Sequence, residues 1–243
     1  MSPHSVPQVA LPVVGPHLTG RSPDEVVRWT LQRFAGWRIG ITTAFGMEGC
    51  ALVDMVARAG VPLRIAYIDT HFLFSETLAL RDRMVRRYPH LTFLDIGINY
   101  SEEAQARDYG PGLWERDPDA CCQLRKVDPM RHWLRAHDVW ITAIRRGQST
   151  ERANVPTVGW DDAFDLVKVS PLASWTRHDV WDYIRRNNVP YNPLHERGYP
   201  SIGCTHCTTA VPGASITSYS REGRWAGRDK AECGLHAPGG VTA

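Results

Sequence analysis

Apolar residues recur along the chain in two alternating periods. Val27, Leu31 and Phe34 follow at helical spacing after Ser22-Pro23-Asp24-Glu25, which has the form of a capping box with proline at the first helical position. The β-branched run at 39–44 predicts a strand. The turn Phe45-Gly46-Met47-Glu48-Gly49 then leads into a helix over 50–59, closed by Gly60 and Pro62. Residues 63–68 predict a second strand, 75–88 a second helix and 92–96 a third strand. A charged helical stretch covers 101–137, 139–144 and 164–169 predict two more strands, and Thr176-Arg177-His178-Asp179 opens a capped helix to Asn187. Apolar strands separated by amphipathic helices predict an α/β fold with a parallel sheet covered by helices on both faces. After Asn188 glycine and proline become frequent, and 212–243 reads as a loosely structured tail. The pattern divides the chain into an N-terminal extension (1–20), an α/β domain (21–207) and a C-terminal tail (208–243).

Composition narrows this picture. The 243 residues are 43% apolar and 22% charged, as in an ordinary globular protein with a sizeable core. The formal net charge of +2 excludes a general nucleic-acid binder. No window approaches the roughly eighteen consecutive apolar residues of a membrane span, and the first twenty residues lack the basic start and apolar run of a secretory signal. A cytoplasmic location is therefore expected. In a reducing compartment the clustered members of the six cysteines read as metal ligands or catalysts rather than disulfides.

In an open α/β sheet, ligands gather outside the C-terminal strand ends. The turn from Ala44 to Glu48 would present backbone N–H groups to an anion, and it also fits a plain strand-to-helix connection. Asp69-Thr70, after the second strand, suits a ribose hydroxyl or a helix cap. Arg145 and Arg146, before Gly147-Gln148-Ser149, suit an anion clamp or a solvated loop. Together the three edges suggest a nucleotide with few phosphates.

The cysteines are more specific. Cys204-Thr205-His206-Cys207 has the spacing that turns two thiolates toward one metal, and Cys121-Cys122 is a vicinal pair in a predicted helix. Four thiolates from two segments suit a zinc site or an iron–sulfur cluster; the other reading is a redox C-x-x-C beside two core cysteines. Lys126, one helical turn past Cys122, would set a cation beside such a site. Cys233, in polar Gly-rich surroundings near Lys230 and His236, is a candidate nucleophile with His236 tuning its thiol, or an inert surface thiol. Cys50 shares an apolar helix face with Val53 and Val56 and reads as packing.

Several motifs resemble those of the adenylyl-sulfate (APS) and phosphoadenylyl-sulfate (PAPS) reductase family, specifically the assimilatory APS reductases. They are Phe45-Gly46-x-Glu48; Ile68-Asp69-Thr70 with Phe74-x-Glu76-Thr77; Cys121-Cys122-x-x-Arg125-Lys126; and Arg145-Arg146-x-x-Ser149. Later in the chain come Pro190-Tyr191-Asn192-x-Leu194-His195; Gly198-Tyr199-x-Ser201-Ile202-Gly203-Cys204-x-x-Cys207; Arg221-Glu222-Gly223-Arg224-Trp225; and Glu232-Cys233-Gly234-Leu235-His236. They span about 39–236. The resemblance implies an adenine-nucleotide α-hydrolase-like fold, with the α/β domain carrying a [4Fe–4S] cluster on Cys121, Cys122, Cys204 and Cys207. It implies APS as substrate, held by Ala44, Gly46, Glu48, Asp69, Thr70, Lys126, Arg145, Arg146, Ser149, Arg221 and Arg224. Cys233 in the mobile tail would be the nucleophile, and thioredoxin or a glutaredoxin-like donor the reductant, in sulfate assimilation and cysteine biosynthesis. Neither nucleic acid nor membrane is an implied partner, and a homo-oligomer is left open. PAPS, alone or beside APS, is the alternative substrate; a cluster-containing tRNA thiolase and a zinc-stapled nucleotide-binding module are more distant ones. One position departs from the family, which usually has glycine after Asp-Thr where this chain has His71. That puts the local backbone conformation and the substrate contact there in question.

Overall fold

The computed structural model describes Leu18, residues 20–230 and residues 232–236. Nearly all of the N-terminal extension and the last seven residues of the tail therefore lie outside the described residues. Six strands form one sheet in the order β3-β2-β1-β4-β6-β5: β1 (Ile39–Thr42), β2 (Arg64–Tyr67), β3 (Thr92–Asp95), β4 (Val139–Ile141), β5 (Val158–Asp161) and β6 (Leu166–Val169). The first five strands of that order pair in parallel, and β5 closes the edge antiparallel to β6. The predicted parallel α/β sheet is thus present with one addition. β5, beside its own turn at Ala163 to Asp165, was invisible to the apolar pattern because three of its four residues are only half-buried.

Alternation along the strands assigns the two faces. Val139 and Ile141 of β4 and Val167 and Val169 of β6 join the larger core, built with α1 (Pro23–Arg33), α2 (Met47–Arg58), α3 (Ser75–Arg87) and α8 (Arg177–Arg186). Trp140 and Leu166 point the other way and pack with Met130, Trp133 and Leu134 of α7 (Asp128–Leu134). Both predicted N-terminal caps are formed: the Ser22 and Thr176 hydroxyls each accept an N–H three residues on, and Glu25 and Asp179 reciprocate. Cys50 is buried in the larger core, as its helical face predicted. Among the described residues no helix is long and apolar enough to cross a membrane.

The stretch at 101–137 is a correction. It is not one helix but α4 (Glu102–Tyr109), α5 (Leu113–Arg116), α6 (Pro118–Cys122), a π-helical turn over Gln123–Val127 and then α7. Gly110 and Gly112, both at positive φ, break it first, and the Asp117 side chain caps α6 anew. The π turn has a cause in Pro129. Proline lacks an N–H, and its ring would press on the carbonyl four residues back, that of Arg125; a wider turn relieves this. The turn also aims Arg125 and Lys126.

Candidate functional site

The order of strands reverses between β1 and β4, where an open α/β sheet leaves a crevice. A cavity of about 250 Å³ opens there, lined by Thr42 to Gly46 from the end of β1 onward, by Thr142 to Ile144 after β4, and by Thr70, Lys126, Arg152, Arg221 and Cys233. Helix α2 starts at this cavity with Gly46 as its cap and no side-chain cap, so N–H groups of its first turn are left for a ligand. The helix sits close against β1: a Cβ on Gly49 would lie 2.6 Å from the Thr43 hydroxyl.

Glu48 lines the cavity but is fully engaged. Its Oε1 accepts from Arg145 Nε at 2.9 Å and Nη2 at 2.7 Å, and from Arg177 Nη1 at 3.2 Å. Burial pushes its pKa up, but Arg177 and Arg145 outweigh that and hold it at about 2. Arg145 is therefore held beneath the turn, and because Arg177 shares the same carboxylate the three groups keep one net positive charge. Arg146 donates to the Val155 carbonyl and lines a separate open groove with Arg145 and Arg177. Asp69 is set beside the cavity rather than in its lining; its Oδ1 accepts the His71 N–H at 2.8 Å. His71 has φ of 61°, the left-handed region a glycine there would use. Histidine is among the side chains that tolerate it, and the Asp69 bond holds it.

The four predicted thiols line one small hollow with Phe72, Trp114, Arg125, Lys126 and His206. Cys121 and Cys122 come from the last turn of α6, and Cys204 and Cys207 flank a 3-10 turn. Trp114 stacks on His206 at 4.1 Å over this hollow. Arg125, buried, ties the surrounding segments together through Gln105 Oε1 and the carbonyls of Thr70, Tyr100 and Ser101. Burial pushes the Cys121 thiol up to about 12 and Cys122 to about 11, so as free thiols both are protonated. Burial opposes ionisation of Cys204 too, but Lys126, the Thr70 hydroxyl 3.3 Å away and Arg224 outweigh it. An all-sulfur donor set suits zinc or an iron–sulfur cluster. Among the described residues no three His, Cys, Asp or Glu side chains are grouped for a single metal ion.

Lys126 lines both the hollow and the cavity. Burial disfavours its charge, yet the sulfur groups facing it, Cys204 first, more than offset this and raise its pKa. Arg221 lines the cavity, whereas Arg224 turns to the Cys207 carbonyl, the Ser201 hydroxyl and the Trp225 ring. Ser149 reaches the tail, donating to Glu232 Oε1 at 3.1 Å. His236 stacks on Trp140, 5.2 Å between ring centres; burial and then Arg152, Lys168 and Arg221 push its pKa well down, so the ring is neutral. Arg152, Gln148, Tyr219 and Trp140 line the cavity without having been singled out from the sequence. Arg152 donates to Gln148 Oε1 and Glu232 Oε2, and its buried Nε has no partner among the described residues. The arrangement is a small, electropositive crevice with a thiol at its wall, suited to a compact anion carried on a larger apolar group.

The chain is similar to several known proteins. Residues 38–210 match the model of the phosphoadenosine phosphosulfate reductase domain. The chain is 42% identical over 226 residues to an adenosine 5'-phosphosulfate reductase of Shouchella clausii, covering 93% of this chain and 92% of that protein. It is 40% identical to adenosine 5'-phosphosulfate reductase 2 of Bacillus subtilis, covering 87% and 88% of the two chains. Among solved structures it is similar to a phosphoadenylyl-sulfate (PAPS) reductase from Candida auris in a phosphate complex, with a TM-score of 0.72 and 30% identity over 86% of this chain and 99% of that one.

Proposed function

The chain belongs to the phosphoadenosine phosphosulfate reductase family, and from that premise we propose that it is an oxidoreductase that reduces APS to sulfite and AMP in sulfate assimilation. The observation that carries the reading is the entry of the Cys233 side chain into the same crevice as Lys126, Arg152 and Arg221, at the strand ends where a nucleotide would sit. The names of the relatives with 40% identity or more point to APS rather than PAPS as substrate.

The chemistry follows from charge and leaving group. The Cys233 thiolate attacks the sulfuryl sulfur of APS. A sulfur–sulfur bond forms, the sulfur–oxygen bond to the phosphate breaks, and AMP leaves with that electron pair, its growing charge met by Lys126 and Arg221. A thiolate of thioredoxin, the proposed reductant, then attacks Cys233 Sγ. Sulfite departs with the bonding pair, and the donor's second thiol resolves the mixed disulfide, so two thiols are oxidised as the sulfuryl sulfur is reduced. Cys121, Cys122, Cys204 and Cys207 would hold a [4Fe–4S] cluster, a reading supported by their shared hollow and all-sulfur donor set. When bound there, the cluster supplies a fixed charge beside Lys126 and order to the segments around it, not a covalent step.

The test is turnover of anaerobically purified protein on APS and on PAPS with thioredoxin, with iron and zinc measured on the same sample. Sulfite release from APS, lost in Cys233→Ser with the metal content unchanged, is the expected result. Faster turnover on PAPS would reassign the substrate, and sulfite release by Cys233→Ser would refute the nucleophile.

A further inference from the structure

The tail reaches the crevice along a string of contacts of unequal quality. Arg228 donates to the carbonyls of Trp114 and Glu115, and Lys230 pairs with Asp119, whose side chain is 80% exposed. The Arg228 bonds lie at the exposed surface, and the Lys230 side chain, itself buried, meets a carboxylate that stands in water. The next contact differs. The Glu232 carboxylate accepts from Arg152 Nη2 at 2.8 Å and from Ser149 Oγ at 3.1 Å, and lies 3.3 Å from Arg221 Nη2. The Glu232 and Arg152 side chains are 9% and 8% exposed. Charge-assisted bonds out of water are the strong ones, and Glu232 is the immediate neighbour of Cys233.

We infer that Glu232 is a positioning residue: by clasping Arg152, Ser149 and Arg221 it seats the adjacent Cys233 thiol in the crevice. The role in turnover rests on the proposed function; the seating itself does not. All three partners are anchored on the body of the protein or at the cavity wall. Arg152 and Ser149 belong to the loop after β4, and Arg152 is braced by Gln148 Oε1 at 2.7 Å. The clasp therefore fixes one end of a two-atom lever, the peptide between Glu232 and Cys233. On the far side the His236 ring stacks on Trp140, so the thiol hangs between two fixed points. Holding a nucleophile in place in this way replaces an entropic cost of the attack. Release of the clasp would let the sulfonated thiol meet the reductant.

The test uses anaerobically purified full-length protein. Alkylation of each cysteine by iodoacetamide is followed by peptide mass analysis, with Cys50, fully buried, as an internal reporter of the fold. Glu232→Gln should raise the Cys233 alkylation rate about tenfold or more while Cys50 stays unlabelled, as expected from loss of a charge-assisted clasp. Arg152→Gln should do the same, and the double variant should add little to either. In single turnover with APS and no reductant, Glu232→Gln should slow attachment of the sulfonate to Cys233. An opened tail thus gives opposite signs in the two readouts. If the wild-type protein gains no sulfonate, the functional reading fails and alkylation still decides the clasp. An unchanged Cys233 alkylation rate in both single variants, or Cys50 labelling that rises in step with Cys233 in both, would overturn the inference.

Discussion

Glu48 offers the clearest quantitative test of how the crevice is built. Replacing it with glutamine keeps the shape of the side chain and removes the charge that two guanidiniums face. Arg145 is 1% exposed and Arg177 5%, so neither can recover much hydration. Breaking a buried pair in this manner costs on the order of 3–5 kcal/mol, most of it from the charges left behind. The proton equilibrium gives a second route to the figure. Lowering the carboxyl from its ordinary value of 4.5 to about 2 in the folded chain corresponds to roughly 3 kcal/mol of stability. The sign is that of a depressed acid: the contribution is complete above 4.5 and is lost as the pH falls from there toward 2. Urea unfolding of the wild-type protein and Glu48→Gln, at neutral pH and at steps down to the most acid condition that still gives a folded baseline, measures both. The gap should be about 3 kcal/mol at neutral pH and should narrow with acid, because only the wild type has this proton to take up. A neutral-pH loss below about 1 kcal/mol, the size of an exposed pair, would refute it. So would a gap of constant size across the acid range.

Two further substitutions probe the scaffold. His71→Gly removes a side chain held at φ of 61° and keeps the N–H bonded to Asp69; a gain of up to about 1 kcal/mol is expected, read as a higher Tm, and a fall would mean that the imidazole contributes more than its backbone strain costs. Tyr183→Phe removes one of two hydroxyls donated to the buried Asp54 carboxylate, at 2.6 Å from Tyr183 and 2.8 Å from Tyr88. A loss of about 1–3 kcal/mol by chemical denaturation is expected, and a neutral result would show that the remaining Tyr88 bond suffices.

What the sequence made legible, and what it did not, divides along physical lines. The helices with capping boxes and the buried parallel strands were readable because each repeats one local rule over several residues. Strand β5 was not, since Val158 alone among its four residues is buried and its pairing with β6 is a matter of tertiary contact. The break-up of 101–137 was written in Gly110, Gly112, Asp117 and Pro129, but a charged, helix-favouring composition hid it. In the site, spacing brought the four thiols to one hollow and position brought Cys233 to the crevice. A single arginine in a loop carries no pattern, so Arg152 is marked by its place in the cavity wall, its burial and its bond to Glu232.

The arginines show where pattern reading stops. Lys126, Arg145, Arg146, Arg221 and Arg224 form a single group of cations in the sequence, but in space each meets a different counterpart. Arg145 shares Glu48 with Arg177, Arg146 faces a carbonyl in an open groove, and Arg224 lies over Trp225 beside the thiol hollow. Charge at the crevice wall comes instead from Lys126, Arg152 and Arg221, and two of these three hold the tail carboxylate. The positive field that a bound anion would feel is thus coupled to the seating of the tail. With the tail seated, Glu232 meets part of the arginine charge while its neighbour Cys233 lines the crevice. On the proposed function, a tail that left the crevice would free this charge for the anion, so capture would be strongest before the thiol is seated.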